Sequence, residues 1–562
     1  METYLSRSRP LAGDLMRPLF AGIFLLMALS LPACSKAASP AEIAAGKAVF
    51  AANCALCHDA SPGMGDFQGP PLFGVAGRQI GGAPGFDYSD ALKAAHGRGE
   101  TWNDSNLDAF LADPQQAMPG TQMPVNVPDA TDRRNLIAYL TSLNGKAAAA
   151  KTAGPVSGSD NLDWRKDAPG VLHRVTVADL PKPFATDSAG NSARYVAPAD
   201  NFLPKAPAGF AVSLFSKDLD GPRNMRTAPN GDLYVVESGK GRISVFRNQG
   251  GKLSMTRETF AEGLNEPFGI AFQGNSVYVG NVGSVVRIPI SGGKPETVVA
   301  DLSTTGGHST RDIAFSADGK YMYVSVGSAS NVAEDIGKAP TDFVAGHALG
   351  ESWGSEAGRA LVLRFRPDGS DRYVFATGIR NCVGLVFKPG SNDLYCTTNE
   401  RDMLGDNLVP DYFTRIAEGQ FFGWPWYYLG DHEDPRQAGV RPDLKGKVSL
   451  PDTLFVSHSA PLGFTFYKAP AGAAQAFPSQ YDGAAFIALH GSWNRAARTG
   501  SKVVIAHIRD GKPTGEYEDF LTGFILDDKQ VSGRPVGVAV GPEGALYVSD
   551  DAGDRIWRVA PK

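Results

Sequence analysis

The chain has 562 residues, of which 43% are hydrophobic and 20% are charged. These are values typical of globular proteins, and the length exceeds that of one ordinary domain, so we expect at least two domains. The net charge of -5 at pH 7 offers no basic footprint, which excludes nucleic acid as an expected partner. The high content of glycine (65) and proline (39) favours a turn-rich β protein over a helical one.

The chain begins with a basic segment and a short apolar run. The run covers residues 19–31 and is too short to cross a membrane. It leads into Leu-Pro-Ala-Cys, ending at Cys34, which resembles a bacterial lipobox. Residues 1–34 are therefore predicted to be a lipoprotein signal peptide. The mature protein is predicted to be exported, periplasmic and anchored to the membrane by a lipid on Cys34; a plain signal peptide is the alternative.

A Cys-x-x-Cys-His motif follows, formed by Cys54, Cys57 and His58. This is the attachment signature of a c-type haem, because two thiols one helical turn apart can bond to the haem vinyl groups. The adjacent histidine then offers a ring nitrogen to the iron. A zinc site is the alternative, but it lacks a second Cys or His pair nearby. The motif predicts covalently bound haem c.

The residues around this motif predict a small helical domain. Residues 41–52 have helical spacing, and further helical stretches are predicted at 107–111 and 134–140. Between them lies a Pro-Gly-Thr-Gln-Met-Pro segment at 119–124. With these motifs in this order, residues 40–145 closely resemble a class I cytochrome c, which is an all-α domain.

The resemblance implies that Met123 is the second axial ligand of the haem iron. Met64 and Met118 are the competing thioethers. Met64 is too close to His58 along the chain to reach the opposite haem face, and the resemblance places the ligand after Pro-Gly-Thr-x rather than at Met118. Ligation by histidine and methionine fills both axial positions, which favours electron transfer over oxygen chemistry.

Residues 146–200 are predicted to be a flexible linker and a lead-in. The segment up to about residue 160 is rich in Ala, Lys, Gly and Ser and has no apolar period. The remainder is polar and irregular, and its packing is not predicted.

A strand–turn–strand unit recurs in the rest of the chain. Copies lie at 228–236, 270–279, 313–324, 385–395 and 538–548. The first three are spaced by about 45 residues, which is the period of a β-propeller built from short antiparallel strands. The prediction is a mainly β fold, with a six-bladed β-propeller at 201–562, closed by pairing of 210–215 with the last blade. One blade, around 464–508, matches the repeat poorly.

Two further cysteines, Cys382 and Cys396, flank a predicted hairpin whose turn is 388–393. In an oxidising compartment we expect them to form a disulfide, worth about 3 kcal/mol by loop-closure entropy. Two buried thiols are the alternative.

Polar segments at the ends of the predicted strands carry the candidate site. They contain Arg223, His308, Arg380, Asn381, Asn399, Glu400, Arg401, Asp402, His490, Trp493, Asn494, Arg495 and Arg534. The fold could bring these blades' ends together around one axis. Arginines and histidines that converge there would suit a polyanionic ligand.

This constellation resembles the pyrroloquinoline quinone (PQQ)-dependent sugar dehydrogenases of the soluble glucose dehydrogenase and sorbosone dehydrogenase type. The resemblance is strongest at 221–223, 378–381, 423–425, 490–495 and 534–535. It implies a quinone whose three carboxylates account for the arginines, and a calcium ion that polarises the quinone carbonyl. It also implies a histidine that takes the hydroxyl proton while hydride moves from the sugar carbon to the quinone.

On this pattern His308 is the general base, and Arg380 stabilises charge beside the reacting carbonyl. The residues implied to hold the quinone are Arg223, Asn381, His490, Trp493, Asn494, Arg495 and Arg534. The residues implied to hold calcium, through main-chain carbonyls or side chains, are Asn399, Glu400, Arg401 and Asp402.

The sequence therefore predicts a periplasmic quinohaemoprotein. It would oxidise an aldose or sugar aldehyde with PQQ and pass electrons through its haem to a downstream cytochrome or terminal oxidase. One alternative is a non-enzymatic propeller that binds a carbohydrate or a partner and carries an electron-transfer cytochrome c. A propeller lactonase ranks last, because it has no use for an arginine cluster or a haem.

Overall fold

The structure, a computed structural model, describes residues 38–55, 58, 60, 69–83, 86, 88–123, 125–143, 163–304, 306–491, 493–509 and 511–562. The predicted signal peptide, Cys34, Cys57, Met64 and the first part of the predicted linker lie outside the described residues. The predictions made for them therefore stay predictions. Within the described residues, no helix combines the length and hydropathy needed to cross a membrane.

The N-terminal domain is helical, as predicted. Its helices are α1 (Pro40–Asn53), α2 (Asp90–Gly97), α3 (Asp104–Ala112), α4 (Pro114–Ala117) and α5 (Ala130–Ser142). The three predicted helices correspond to α1, α3 and α5, whereas α2 and α4 were not predicted. α1 packs against α5, and the core between the helices contains Phe50, Trp102, Phe110 and Leu136.

Local sequence explains where these helices begin. The Asn103 side chain accepts hydrogen bonds from two backbone N–H groups of the first turn of α3, and Asp129 does the same for α5. Such caps satisfy donors that have no partner within the helix.

The rest of the chain forms antiparallel blades. The first two are β4 (Pro222–Thr227), β5 (Leu233–Glu237), β6 (Arg242–Asn248), β7 (Leu253–Ala261), then β8 (Gly269–Gln273), β9 (Ser276–Asn281), β10 (Ser284–Pro289), β11 (Glu296–Val299). The third is β12 (Ile313–Phe315), β13 (Met322–Val326), β14 (Leu361–Phe365), β15 (Tyr373–Thr377), with α6 (Phe343–Gly346) in a long connection.

The fourth blade is β16 (Cys382–Phe387), β17 (Leu394–Thr398), β18 (Tyr412–Ile416), β21 (Thr453–Leu454), interrupted by the small hairpin β19 (Tyr427–Tyr428) and β20 (His432–Glu433). The fifth is β22 (Pro461–Phe466), β23 (Ala485–Leu489), β24 (Lys502–Arg509), β25 (Lys512–Leu521). The sixth is β27 (Pro535–Val540), β28 (Leu546–Asp550), β29 (Arg555–Pro561), completed by β3 (Phe210–Ser216). Short 3-10 turns lie at Trp164–Lys166, Val177–Asp179, Ser238–Lys240, Gly354–Glu356, Pro442–Leu444 and Ser479–Tyr481.

The innermost strands close a ring. Each of β4, β8, β12, β16, β22 and β27 contacts the next, and β27 contacts β4. In the described part of the chain these blades form the predicted six-bladed β-propeller. The predicted closure is also confirmed, because β3 pairs antiparallel with β29 and so joins the start of the propeller to its last blade.

A buried carboxylate ties blades together near the axis. Asp312 is fully buried and accepts from Asn224 Nδ2 at 2.9 Å, from Arg226 Nη2 at 2.9 Å and from the backbone N–H of Leu385 at 2.8 Å. These partners come from blades one and four, whereas Asp312 begins blade three. One side chain thus connects three blades.

The lead-in, whose packing the sequence left open, belongs to the propeller surface. β1 (Leu172–Arg174) pairs with β25 as an added outer strand of blade five, and β2 (Arg194–Tyr195) pairs with β26 (Gln530–Val531). A buried lysine anchors it, since Lys502 Nζ lies 2.8 Å from Asp167 and 2.7 Å from Asp519.

Cys382 and Cys396 form the expected disulfide, with their Cα atoms 5.8 Å apart. They lie on the paired strands β16 and β17, which are joined by the predicted turn.

Candidate active site and haem site

The candidate residues of the propeller gather at one end. In an antiparallel blade the start of the innermost strand lies beside the end of the second strand. Arg380 precedes β16 and Asn399 follows β17, while Arg534 precedes β27 and Asp551 follows β28. We call this end of the ring the mouth.

His308 lies at the mouth in the loop before β12. Its Nδ1 is 2.8 Å from the carbonyl oxygen of Ser328, which can only accept, so Nδ1 carries the proton. Nε2 therefore has the lone pair of a base. Burial, then the charges of Arg380 and Arg359, lower the pKa of His308 well below its usual value, so the ring is neutral at pH 7.

Two buried arginines hold the His308 loop. Arg359 Nη2 donates to the carbonyl of His308 at 3.0 Å and to that of Ser328 at 2.8 Å. Arg311 Nη1 donates to the same His308 carbonyl at 2.9 Å. Burial lowers the pKa of Arg359 to about 10 and that of Arg311 to about 9, with both side chains still charged at neutral pH. These contacts fix the position of the imidazole.

Arg380 is buried beside this group and is engaged on every side. Its Nη1 donates to the carbonyl of Glu400 at 2.7 Å, and its Nη2 lies 3.2 Å from Asp402 Oδ2. The other oxygen of Asp402 is 3.2 Å from His458 Nδ1. Burial would raise the pKa of the Asp402 carboxyl, but the hydrogen bond with His458 and the charge of Arg380 outweigh burial. The pKa of Asp402 therefore lies below its usual value. Asn381 lies close by and accepts from Thr310 Oγ1 at 3.2 Å.

The segment predicted to hold calcium has a donor set that does not fit a metal well. The carbonyls of Asn399 and Glu400 accept from Arg380, and the Glu400 carboxylate pairs with Arg401. Arg401 is a fully buried cation that also contacts Asp434, and a guanidinium has no lone pair to give. Among the described residues, Asn399 Oδ1 is the oxygen of this segment that is buried without a hydrogen-bond partner. Calcium here stays a prediction.

A second group at the mouth is centred on Asp551. His490 Nε2 lies 2.9 Å from one oxygen of Asp551, and Arg223 Nη1 contacts the other. Arg534 donates through Nε to the carbonyl of His490 at 3.2 Å, and through Nη2 to that of Gly491. Burial and the charge of Arg534 lower the pKa of His490 to about 4, so this imidazole is neutral at pH 7.

The side chain of Arg498 tests whether the mouth could hold an anionic ligand. It is 3% exposed, yet among the described residues its Nε and Nη2 have no hydrogen-bond partner. Burial, then the nearby charge of Arg534, lower its pKa to about 10. The next residue, Thr499, lies against Gly491. The carboxylates of Asp528 and Asp527 also act on Arg498, but among the described residues neither accepts from its Nε or Nη2. Buried N–H donors without a partner suit a carboxylate ligand, so this side of the mouth fits PQQ.

The remaining predicted quinone contacts have protein partners. Asn494 Oδ1 accepts from the backbone N–H of Met403 at 2.7 Å, and Arg495 Nη1 donates to the carbonyl of Asp406 at 2.6 Å. Asn494 and Arg495 thus hold the loop after β17 in place through these hydrogen bonds. Trp493 packs against the hydrophobic core of the helical domain. Their predicted quinone roles are not tested by these contacts.

The helical domain presents a haem donor set. His58 is buried, and its Nδ1 donates to the carbonyl of Pro70 at 2.7 Å, which leaves the Nε2 lone pair for iron. Gly69 packs so closely that an added Cβ would lie 2.6 Å from His58 Nδ1. Cys54 belongs to the buried core, and Met123 packs against that core. These residues fit a haem.

Comparison with known proteins supports the assignment of both domains. The TrAA12-like family matches residues 204–412 and 444–562, and cytochrome c matches 43–144. Cytochrome c2 of Rhodoblastus acidophilus is 43% identical over 98 residues, covering 17% of this chain and 88% of its own. An uncharacterised protein of Borreliella burgdorferi is 28% identical over 380 residues, covering 63% of this chain and 90% of its own.

Two solved structures share the propeller fold. The PQQ domain of pyranose dehydrogenase from Coprinopsis cinerea has a TM-score of 0.52 and 20% identity, covering 65% of this chain and 98% of its own. A carbohydrate-active enzyme of family AA12 from Trichoderma reesei has a TM-score of 0.52 and 21% identity, covering 66% of this chain and 100% of its own.

Several mouth residues were not found from sequence. Asp551, His458, Arg359 and Arg498 come from separate parts of the chain and have no motif of their own. A weak signal existed for Asp551, because polar residues at the end of a second strand recur in other blades.

The family matches assign both domains. The chain belongs to the TrAA12-like family through its propeller and carries a cytochrome c domain before it.

Proposed function

We propose that this protein oxidises a sugar with PQQ bound at the propeller mouth and passes the electrons to its own haem c. The single observation that carries this proposal is His308, a neutral imidazole with an available Nε2 lone pair beside a cluster of buried guanidinium groups. A general base and anion-binding donors in one place suit oxidation of a hydroxyl group by an anionic quinone.

His308 takes the proton. Arg359 and Arg311 hold its main chain, and the hydrogen bond to Ser328 keeps the proton on Nδ1. The low pKa keeps the ring unprotonated, so Nε2 can accept the hydroxyl proton of a bound sugar as the C–H hydride leaves. When bound, PQQ supplies a two-electron acceptor for that hydride.

The anion-binding side of the mouth would orient the cofactor. Arg498 offers two buried N–H donors, and Arg534 adds charge nearby. Asp551 holds Arg223 and His490 in place. Charge-assisted hydrogen bonds of this kind fix the register of a carboxylate ligand.

The finer assignments extend the same proposal. The substrate is an aldose or sugar aldehyde, the protein is exported to the periplasm and anchored through lipid on Cys34, and the final acceptor is another cytochrome or a terminal oxidase. A haem on the same chain supports electron transfer at high effective concentration.

The test is optical. The haem-loaded chain is mixed with PQQ and a panel of aldoses, with calcium or with EDTA, and the haem reduction bands are followed. We expect reduction that requires both sugar and PQQ; the EDTA arm decides whether calcium is needed. Absence of reduction with every sugar, together with no PQQ binding, would favour the non-enzymatic binding propeller.

A further inference from the structure

The contact between Trp493 and the helical domain links the two functional regions. Trp493 is half-buried and packs against the hydrophobic core of the cytochrome domain. The same core contains Cys54 of the haem motif, and Met123 packs on it. A propeller residue therefore reaches the apolar shell in which the haem is predicted to lie.

The segment that carries Trp493 is held rigidly on the propeller. The backbone N–H of Asn191 donates to the Trp493 carbonyl at 2.6 Å. The following residue, Asn494, is fully buried and accepts from the N–H of Met403. Arg495 then donates to the carbonyl of Asp406. The backbone that carries the indole is thus held on the propeller at Trp493 and at the two residues that follow it.

The same segment begins at the mouth. His490, three residues before Trp493, bonds to Asp551, and its carbonyl accepts from Arg534. Three residues span at most about 11 Å of chain. A short covalent path thus connects the anion-binding group to an aromatic ring on the cytochrome core. Electron tunnelling is faster through bonded atoms and aromatic rings than across gaps.

We propose that Trp493 is the contact through which electrons pass from the propeller mouth to the haem, rather than a residue that holds the quinone. This inference rests on the proposed function. Each sugar gives up two electrons and two protons. The electrons cross singly, each reducing ferric haem to ferrous, and an external one-electron acceptor reoxidises the haem between transfers; the protons go to water.

The experiment compares two rates in the full-length protein loaded with haem and PQQ. One is the rate of haem reduction after mixing with sugar, and the other is turnover with a diffusible dye that takes electrons at the mouth. We expect Trp493→Ala to lower the ratio of haem reduction to dye turnover about tenfold or more, and Trp493→Phe to lower it by less, because Phe keeps an aromatic ring at the contact.

Phe260→Ala is the matched control. Phe260 is also a half-buried aromatic residue of the propeller, but it packs on Tyr234 of blade one, and we expect the ratio to stay unchanged. An unchanged ratio in Trp493→Ala would overturn the proposal, since electrons would then cross elsewhere. A parallel fall of both rates would also overturn it, because Trp493 would then serve the quinone.

A second readout needs no quinone. Small-angle scattering of the quinone-free chain should give a larger radius of gyration for Trp493→Ala than for the unaltered protein, since the cytochrome domain loses an aromatic contact. A larger radius would support Trp493 as a contact between the two domains, and an unchanged radius together with an unchanged ratio of haem reduction to dye turnover would overturn the proposal. Failure of the proposed function itself would look different: the unaltered protein would reduce no dye with any sugar, while the scattering comparison would still report on Trp493.

Discussion

The cytochrome domain and the propeller differ in how their candidate functional residues are distributed along the chain. The predicted haem residues Cys54 and His58 lie four positions apart in one motif just after α1. The propeller site instead joins residues from blades one, three, four, five and six, and most contacts within it, such as His490 to Asp551, connect distant parts of the chain. A contiguous site can be read from a short motif, whereas a dispersed site depends on the whole ring.

The sharpest way to test this separation is to remove the proposed base. His308→Ala should lower sugar-dependent dye turnover by about 10²–10⁴, because a general base contributes that much. The haem spectrum should not change, since His308 lies in the propeller. His432→Ala, at an exposed histidine of β20, is the control. Turnover that survives in His308→Ala would remove the base from the mechanism.

The second test asks whether the two regions unfold separately. Lys502→Met leaves Asp167 and Asp519 without their buried cation, and we expect the propeller to lose about 3–5 kcal/mol of its free energy of unfolding. Circular dichroism in the β region would report the propeller, and the Soret band would report the cytochrome. A Soret transition that moves with the propeller would show that the two regions unfold as one unit.

The third test perturbs the contiguous site alone. Gly69→Ala places a Cβ against the His58 ring, so the ring must move, at a cost of about 1–3 kcal/mol. We expect a weaker iron–histidine bond, seen as a shifted Soret band and easier loss of the ligand to imidazole. Dye turnover should persist. Gly97→Ala, at the end of α2 where an added Cβ meets nothing within 4 Å, should behave like the unaltered protein.

The smallest effect concerns pH. Because the pKa of His308 is lowered, the neutral base persists as pH falls, and activity should be lost only well below pH 6.5. Removing a neighbouring positive charge with Arg359→Gln should raise that pKa and move the acid limb of kcat/KM upward, by about one pH unit or less. The dye assay measures both profiles. If the acid limb of kcat/KM in the unaltered protein had its midpoint at or above pH 6.5, the pKa of His308 would not be lowered, and the buried, neutral base would be contradicted.

Much of the fold could be predicted because it is periodic or local. The repeat predicted six blades and their closure, and the turn between Cys382 and Cys396 predicted the hairpin that carries their disulfide. The lead-in could not be predicted, since β1 is short and its pairing with β25 depends on the edge that blade five exposes. Local patterns do not encode which sheet edge is open.

The candidate site was predictable only in part. Arg223, His308 and Arg534 stand out because they interrupt the repeat, and the structure brings them to the mouth. Arg498 has no such signal, since its importance lies in buried donors without partners. Calcium was assigned to the Asn399–Asp402 segment through the family resemblance, but sequence does not reveal that Arg380 and Arg401 already contact several of its oxygens.

The pairing of β3 with β29 sets an order of assembly. During synthesis β3 emerges before the strands of the first five blades' four-stranded repeat, β4 to β25, and its partner β29 emerges only after them. The ring therefore cannot close until β29 has been made, whereas the helices of the cytochrome domain all precede β3 in the chain. The cytochrome domain can thus fold before the ring closes, and a chain that stops before β29 would carry a folded cytochrome domain beside an open propeller.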